Sequence, residues 1–274
     1  MRRRVLPGFG LSLGYAVAYL GLIVLLPLAA LAWKASDVGF SGILRLLSSP
    51  RTQAALKLSF GGALVAACVN VVVGLAVTWA LVRYRFPGRR VLDALIDLPF
   101  ALPTAVAGIA LTAIYAPNGW LGRWLVPLGI QVAYTPLGVL VAMVFVGFPF
   151  VVRTLQPVLQ SLEQEVEDAA ESLGATAAQT FLRVILPTLL PTLLTGFALA
   201  LARAVGEYGS VIFIAGNIPL RSEIAPLLIV QKLEEFDYAG ASALGIVMLL
   251  FSLALLVLVS VVQRWTRRWA EAAA

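Results

Sequence analysis

Apolar residues run almost uninterrupted through most of this chain. No Asp, Glu, Lys or Arg lies strictly between Arg4 and Lys34, Lys57 and Arg83, Asp97 and Arg123, Arg123 and Arg153, or Asp237 and Arg264, and another apolar run follows Arg183. Each of these charge-free runs exceeds the ~20 residues a helix needs to cross the hydrocarbon core of a bilayer. Strands spanning a membrane would alternate apolar and polar positions instead. The pattern predicts an all-α polytopic membrane protein with six transmembrane helices, at about 11–33, 58–82, 96–116, 132–152, 188–214 and 241–263.

The polar segments between the runs divide the chain. Residues 34–57, punctuated by Ser48-Ser49-Pro50, read as an outer connection. The basic turn Arg83-Tyr84-Arg85-Phe86-Pro87-Gly88-Arg89-Arg90 reads as a tight inner one, its Pro-Gly a turn signal. Asp93 and Asp97 follow, one helical turn apart. They fit either first-turn acids favoured by the helix dipole or contacts with a partner or gate. In the third span, Pro99 and Pro103 remove helix hydrogen bonds. A break inside a membrane is covered by protein or faces a water-filled cavity, so a kink and a pore-lining break both stay open. Asn70, mid-span, reads as polar glue between helices rather than a substrate ligand, and the single Cys68 as a packing residue. The echo Pro187-Thr188-Leu189-Leu190-Pro191-Thr192-Leu193-Leu194 is local. The lack of a larger repeat counts against the inverted repeats of many secondary transporters.

Charge speaks to orientation more than to chemistry. Only 12% of the 274 residues are charged, and the net charge is +6. With the N-terminus inside, that side holds Arg2, Arg3, Arg4, Arg83, Arg85, Arg89, Arg90, Arg153, Arg183, Arg264, Arg267 and Arg268. The other side holds only Lys34, Arg45, Arg51, Lys57, Arg123, Arg221 and Lys232. The excess places both termini in the cytoplasm, and the positive charge is topological, with no nucleic-acid partner implied. The start, Met1-Arg2-Arg3-Arg4 and an apolar run to Ala32, resembles a signal peptide. The run is longer than the ~7–15 residues of a signal h-region, so an uncleaved first span is expected. There is no histidine and one cysteine. That removes the commonest general base and transition-metal ligand and any internal disulfide; no catalytic residue and no metal site are expected.

One polar segment, 154–187, carries helix signals of its own. Ser161-Leu162-Glu163-Gln164 fits a capping box, with Ser161 as cap and Gln164 reaching back. Leu162, Val166, Ala169, Ala170 and Leu173 then share one helical face, and Glu163, Glu167 and Glu171 share another. Gly174 is a left-handed helix stop. Thr176-Ala177-Ala178-Gln179 is a second capping box, opening a helix with Phe181 and Leu182, and Pro187 marks the return to the membrane. Two short helices hinged at Gly174, with a low alanine surface, suit docking by another protein; a solvated surface helix is the plainer alternative.

Asp168-Ala169-Ala170, Gly174 and Val184-Ile185-Leu186-Pro187 together resemble the signature loop of permease subunits of binding-protein-dependent ATP-binding cassette importers. That signature runs Glu-Ala-Ala, three residues, Gly, nine residues, Ile, one residue, Leu-Pro. Asp168 stands for the Glu and keeps the carboxylate; Val184 stands for the Ile and keeps the β-branch; the other positions match. The resemblance covers residues 55–265, with the first span and outer connection 1–54 in front and a cytoplasmic tail 266–274 behind. It implies a type I importer permease fold. Its cytoplasmic coupling helices, here with Glu167, Asp168, Ala169, Ala170, Gly174, Ala175, Phe181 and Pro187, rest in a cleft on an ATPase subunit. It also implies a homologous permease chain as heterodimer partner, two ATPase subunits carrying ATP and Mg, a solute-binding protein, and a bacterial inner membrane. This chain has no Gly-x-x-x-x-Gly-Lys-Ser/Thr phosphate loop, so neither a cofactor nor ATP hydrolysis is expected on it.

Residues 203–217, from Arg203 through Gly206-Glu207-Tyr208-Gly209 to Ala215-Gly216-Asn217, form the second informative segment. Ionisable residues in a span are costly, and usually paired or facing a cavity. Arg203 and Glu207, four apart, fit a structural ion pair or, with Tyr208, Pro99 and Pro103, a gate on an anion path. Gly206, Gly209 and Gly216 permit close approach or interruption. With Pro219, Glu223-Ile224-Ala225-Pro226-Leu227-Leu228-Ile229 and Leu233-Glu234-Glu235-Phe236-Asp237-Tyr238, the segment resembles sulfate/thiosulfate permeases, the T-type more than the W-type chain. Molybdate and tungstate permeases share the Gly-Glu-aromatic-Gly element and are the alternative. An ion-coupled secondary transporter with Arg203 and Glu207 as relay is the alternative from another class, and an integral membrane enzyme a remoter one. In this family the outer loop, here 216–240, faces the solute-binding protein, and an amphipathic segment at the outer surface is expected there.

Overall fold

A computed structural model of the chain describes residues 9–162 and 164–273. Arg2, Arg3, Arg4, Glu163, the last residue of the tail and the side chains of Gln164, Arg267 and Arg268 lie outside that description. Among the described residues, five helices are long and apolar enough to cross a membrane, and a sixth apolar helix is shorter.

Helix α1 (Phe9–Ser36) is apolar all round and packs against the last helix, with most of its surface exposed. It contains a π-helical turn at Gly21–Leu25, two residues before Pro27. The widened turn relieves the clash between a proline ring and the carbonyl four residues back. A short amphipathic helix, α2 (Gly39–Ser48), occupies the connection between the first two spans, and α3 (Pro50–Arg83) starts with its proline in the first turn, where the missing N–H is no loss.

Three helices form the core: α3, α8 (Pro136–Ser161) and α10 (Ala177–Val205). Small residues line their contacts. Ala63, Ala66 and Ala67 are buried on α3, and Ala200 and Ala204 on α10. A Cβ added at Gly196 would lie 3.1 Å from the Cα of Val151, so the α8 and α10 backbones touch, as small-residue membrane interfaces allow. Asn70 sits at the meeting of all three. It is fully buried, its amide makes no hydrogen bond among the described residues, and its Nδ2 would be 2.6 Å from a Cβ at Gly147. The expected polar glue is therefore packing alone. Cys68, expected to pack, is exposed, on a helix face turned away from that core.

The third predicted span, 96–116, is broken: α4 (Arg89–Ile96) ends where that span begins, and the span itself is divided into α5 (Leu98–Ala101) and α6 (Thr104–Tyr115). Pro99 opens α5, and Leu102 and Pro103 are extended. The twelve residues of α6 rise only ~18 Å, well short of the ~30 Å core. After α7 (Gly122–Leu125) and a 3-10 turn, α8 crosses back. The polar loop forms α9 (Gln164–Ser172). The fifth predicted span, 188–214, begins earlier and stops sooner than its pattern suggests: α10 ends at Val205, residues 206–210 are irregular, and α11 (Val211–Ile214) is one turn. In α10, a π turn at Phe181–Ile185 again stands two residues before a proline, Pro187.

Helix α12 (Ala225–Glu234) forms in the 216–240 loop but is packed inward, whereas the sequence predicts an amphipathic segment lying on the surface. Ile224, Leu227 and Leu228 are buried, and the Ala225 N–H donates 2.8 Å to the Ser59 hydroxyl on α3. The last helix, α13 (Tyr238–Ala273), continues through most of the predicted tail.

Candidate coupling and translocation sites

The described part of the loop is built as its sequence dictates. Ser161 ends α8, where its hydroxyl donates 2.9 Å to the Val158 carbonyl; the Gln164 side chain, its expected partner in the first capping box, lies outside the described residues. Gly174 has φ +82°. The Ala175 N–H reaches the Ala170 carbonyl at 3.1 Å and the Gly174 N–H that of Glu171 at 2.8 Å, which together form a complete Schellman stop. The second capping box is present in both directions: the Gln179 N–H donates to Thr176 Oγ1 at 3.3 Å, and the Thr176 N–H to Gln179 Oε1 at 2.8 Å.

Little of α9 is covered by the rest of the chain. Asp168, Ala169, Glu171 and Gly174 are exposed, Ala170 and Ala175 are half-buried, and Leu173 is 89% exposed. Glu167 is an exception: its carboxylate accepts a hydrogen bond from Arg83, the last residue of α3. Further along, Phe181 is half-buried against Trp79 of α3, while Pro187 is exposed at the foot of α10. Leu162, placed by periodicity on the α9 face, precedes that helix and packs against the core instead.

The second site lies where two helices break. Arg203 is in the last turn of α10, but Glu207 is beyond its end, so the pair bridges a helix terminus rather than riding on one helix. Glu207 is 1% exposed and fully satisfied: Arg203 donates to one oxygen, and the Ser210 N–H and hydroxyl donate to the other at 2.8 Å each. A buried carboxylate needs such partners. This break packs face to face with the other. A Cβ on Gly108 of α6 would lie 2.4 Å from the Ser210 carbonyl oxygen, and one on Gly209 would lie 2.1 Å from Thr104 Oγ1. The structure thus brings Gly209 and Ser210, the segment that also carries Glu207 and Tyr208, against Thr104 and Gly108 of α6. Pro99, at the other end of the third-span break, lines an apolar cavity of about 570 Å³ between α4, α6 and α8, with Leu95, Leu111, Tyr115 and Phe145.

Asp93 and Asp97 are not first-turn acids. Asp93 lies inside α4 and Asp97 at its end. Both bind Arg153 of α8, which uses all five N–H donors: two on the Asp97 carboxylate, one each on the Asp93 carboxylate and carbonyl, and one on Gln156. Arg153, Trp79, Arg83 and Ser210 are the residues that sequence reasoning did not single out. The available signal was Arg153 itself, a lone cation closing a long charge-free run.

Comparison with known proteins follows this architecture. Residues 70–271 match the model of the family described as binding-protein-dependent transport system inner membrane component. The chain is 53% identical over 251 residues to a probable sulfate transport system permease protein cysT of Nephroselmis olivacea, covering 92% of this chain and 88% of that one. It is 51% identical over 267 residues to the sulfate transport system permease protein CysT of Escherichia coli K12, covering 97% and 96%. Among solved structures, a bacterial ABC transporter importing the acidic polysaccharide alginate superposes with a TM-score of 0.77 at 15% identity, covering 92% of this chain and 93% of that one. At that identity the likeness is one of fold. The matched length and the identity to whole relatives show that this chain belongs to the family of binding-protein-dependent transport system inner membrane components.

Proposed function

We propose that this chain is the T-type permease subunit of an ATP-driven sulfate/thiosulfate importer, and that it moves the anion by alternating access without hydrolysing ATP itself. Its partners are a homologous permease, two ATPase subunits that carry ATP and Mg, and a solute-binding protein. The end of the bundle with the 84–88 turn and the 162–176 loop faces the cytoplasm, as do both termini, consistent with the distribution of Arg and Lys. The reading is carried by α9, a helix closed by the Gly174 stop and little covered by the rest of the chain, with Asp168, Ala169 and Leu173 exposed. The residues Asp168, Ala169, Ala170, Gly174 and Ala175 form the docking surface for the ATPase. The paired breaks at Pro99–Pro103 and Gly206–Ser210, with Arg203, Glu207 and Tyr208 between them, border the path. The choice of sulfate is supported by relatives at half identity over nearly their whole length that are named sulfate permeases.

Binding-protein-stimulated ATP hydrolysis by the reconstituted complex tests this, with sulfate, thiosulfate and molybdate compared, each with its candidate binding protein. Stimulation by sulfate is expected. Stimulation by molybdate alone keeps the importer and replaces the solute; uptake by this chain with no ATPase overturns the class in favour of an ion-coupled transporter. Gly174→Val, forced into a left-handed φ that β-branched residues avoid, should leave the helices inserted and abolish uptake; normal uptake in that variant refutes the coupling loop.

A further inference from the structure

The docking helix α9 is joined to the bundle in three ways. Along the chain it follows closely on α8, and it passes through the Gly174 stop, where the backbone turns sharply, into the foot of α10. Across space it is held by Glu167, whose carboxylate is bound by Arg83 at the end of α3. The Arg83 side chain is only 18% exposed, and its Nε is buried without a hydrogen-bond partner among the described residues. A guanidinium in this setting has little water to fall back on, so pulling Glu167 away leaves a largely buried charge without its counter-charge. The contact therefore resists separation, whereas the Gly174 turn offers no side chain to stiffen it.

Arg83 also lies over the ring of Trp79, one turn back on α3, with its guanidinium carbon 5.6 Å from the ring centroid. That distance is within cation–π range. Trp79 in turn meets Phe181 edge-on, with ring centroids 5.5 Å apart and planes at 85°, the favourable T-shaped arrangement. Phe181 opens the π turn at the foot of α10, and both rings pack against the core. Glu167, Arg83, Trp79 and Phe181 thus form one continuous stack from the docking helix through α3 to α10.

Resting on the importer reading above, we infer that this stack is the transmission joint of the permease: Arg83 and Trp79 are positioning residues that make α3 and α10 follow α9 as a unit when the ATPase moves it. Without them, α9 would swing on Gly174 and ATP would be hydrolysed with little transport.

The test uses the whole complex in proteoliposomes, with radiolabelled sulfate, and reads ATP hydrolysed per sulfate imported. Arg83→Glu and Glu167→Arg singly should each raise that ratio about tenfold, and the double swap should bring it back to within about threefold of wild type, in the range of coupling energies between sites. Trp79→Ala should also raise it, and Trp79→Phe, which keeps a ring between Arg83 and Phe181, should restore it. If charge reversal blocks assembly, Glu167→Gln on the accessible helix serves instead, with a raised ratio expected. A ratio unchanged while uptake and hydrolysis fall together with the amount of assembled complex overturns the joint, as does a swap no better than its parents. Gly174→Val, measured alongside, separates the two readings. An uncoupled Gly174 variant with tightly coupled Arg83 variants sinks the joint alone; a wild-type complex with no ATP-linked sulfate import sinks the importer reading and the joint with it.

Discussion

Each end of this bundle is held by one arginine on a long helix gripping a short helix, yet the two clamps differ in what they bury. At the end opposite the 162–176 loop, Arg51 in the first turn of α3 donates 2.8 and 2.6 Å to the two oxygens of Glu223, just before α12, and also binds Gln231. At the loop end, Arg153 of α8 holds Asp93 and Asp97 of the α4 segment at 2.7 Å. Glu223 is 2% exposed, whereas Asp93 and Asp97 are 39% and 48% exposed. The geometry at the loop end is the richer, with every guanidinium donor engaged. The energetics point the other way, because removing a partner is damaging in proportion to how little water reaches the charge left behind.

The largest expected effect is thus at the Arg51 clamp. Arg51→Ala leaves the buried Glu223 carboxylate without its counter-charge, and should destabilise the fold by about 3 kcal/mol. The measurement is the thermal midpoint of the purified chain in detergent. Arg51→Ala with Glu223→Gln should recover much of that loss, since no unpaired charge is left buried. A double variant no more stable than Arg51→Ala would mean that Arg51 acts through packing on Gln231, and the contrast between the clamps would fail.

Arg153→Ala comes next, at about 1–2 kcal/mol. Water can replace the lost donors on Asp93 and Asp97, leaving mainly the repulsion of two carboxylates one turn apart. High salt should therefore shrink this loss, by screening exposed charges, and leave that of Arg51→Ala nearly untouched. Equal salt sensitivity in both variants would break the comparison.

Neither clamp was legible in the sequence, while most of the helices they hold were. Charge-free runs locate spans because the bilayer imposes a length on them, and Gly174 and Thr176–Gln179 locate the loop helices because caps are local chemistry within six residues. Arg51 and Glu223 are 172 positions apart, and Arg153 and Asp97 are 56 apart; no period or spacing joins them. The third and fifth spans show the same limit more finely. Pro99 and Pro103 announce one break and Gly206 and Gly209 permit the other, but glycines leave close approach and interruption equally open. Only the packing of Gly209 on Thr104 and of Gly108 on Ser210 reveals why α10 ends at Val205. Asp93 and Asp97 failed differently: their spacing was read correctly, but their partner lies on another helix.

A third pair, at the same end as Arg51, gives the smallest and most specific prediction. Asp237, just before α13, accepts 2.8 Å hydrogen bonds from Lys232 Nζ on one oxygen and from the Gly240 N–H on the other. The Lys232 hydrogen bond first, and then the backbone donor, hold its carboxyl below the usual carboxylate range against the opposing pull of burial. A folded-state pKa lowered in this way contributes stability above the unfolded value of ~3.9 and loses it as pH falls through the lower folded value. Asp237→Asn should therefore cost roughly a few tenths of a kcal/mol at neutral pH, as expected for a pair this exposed, and the deficit should close as pH drops below ~4. Asparagine still accepts from Gly240, so what disappears is the charge alone. A deficit that persists undiminished in acid would show that the side chain is held for shape. Asp237 would then join Arg51 as a packing element of that end, instead of marking the solvated limit against which the buried clamp is measured.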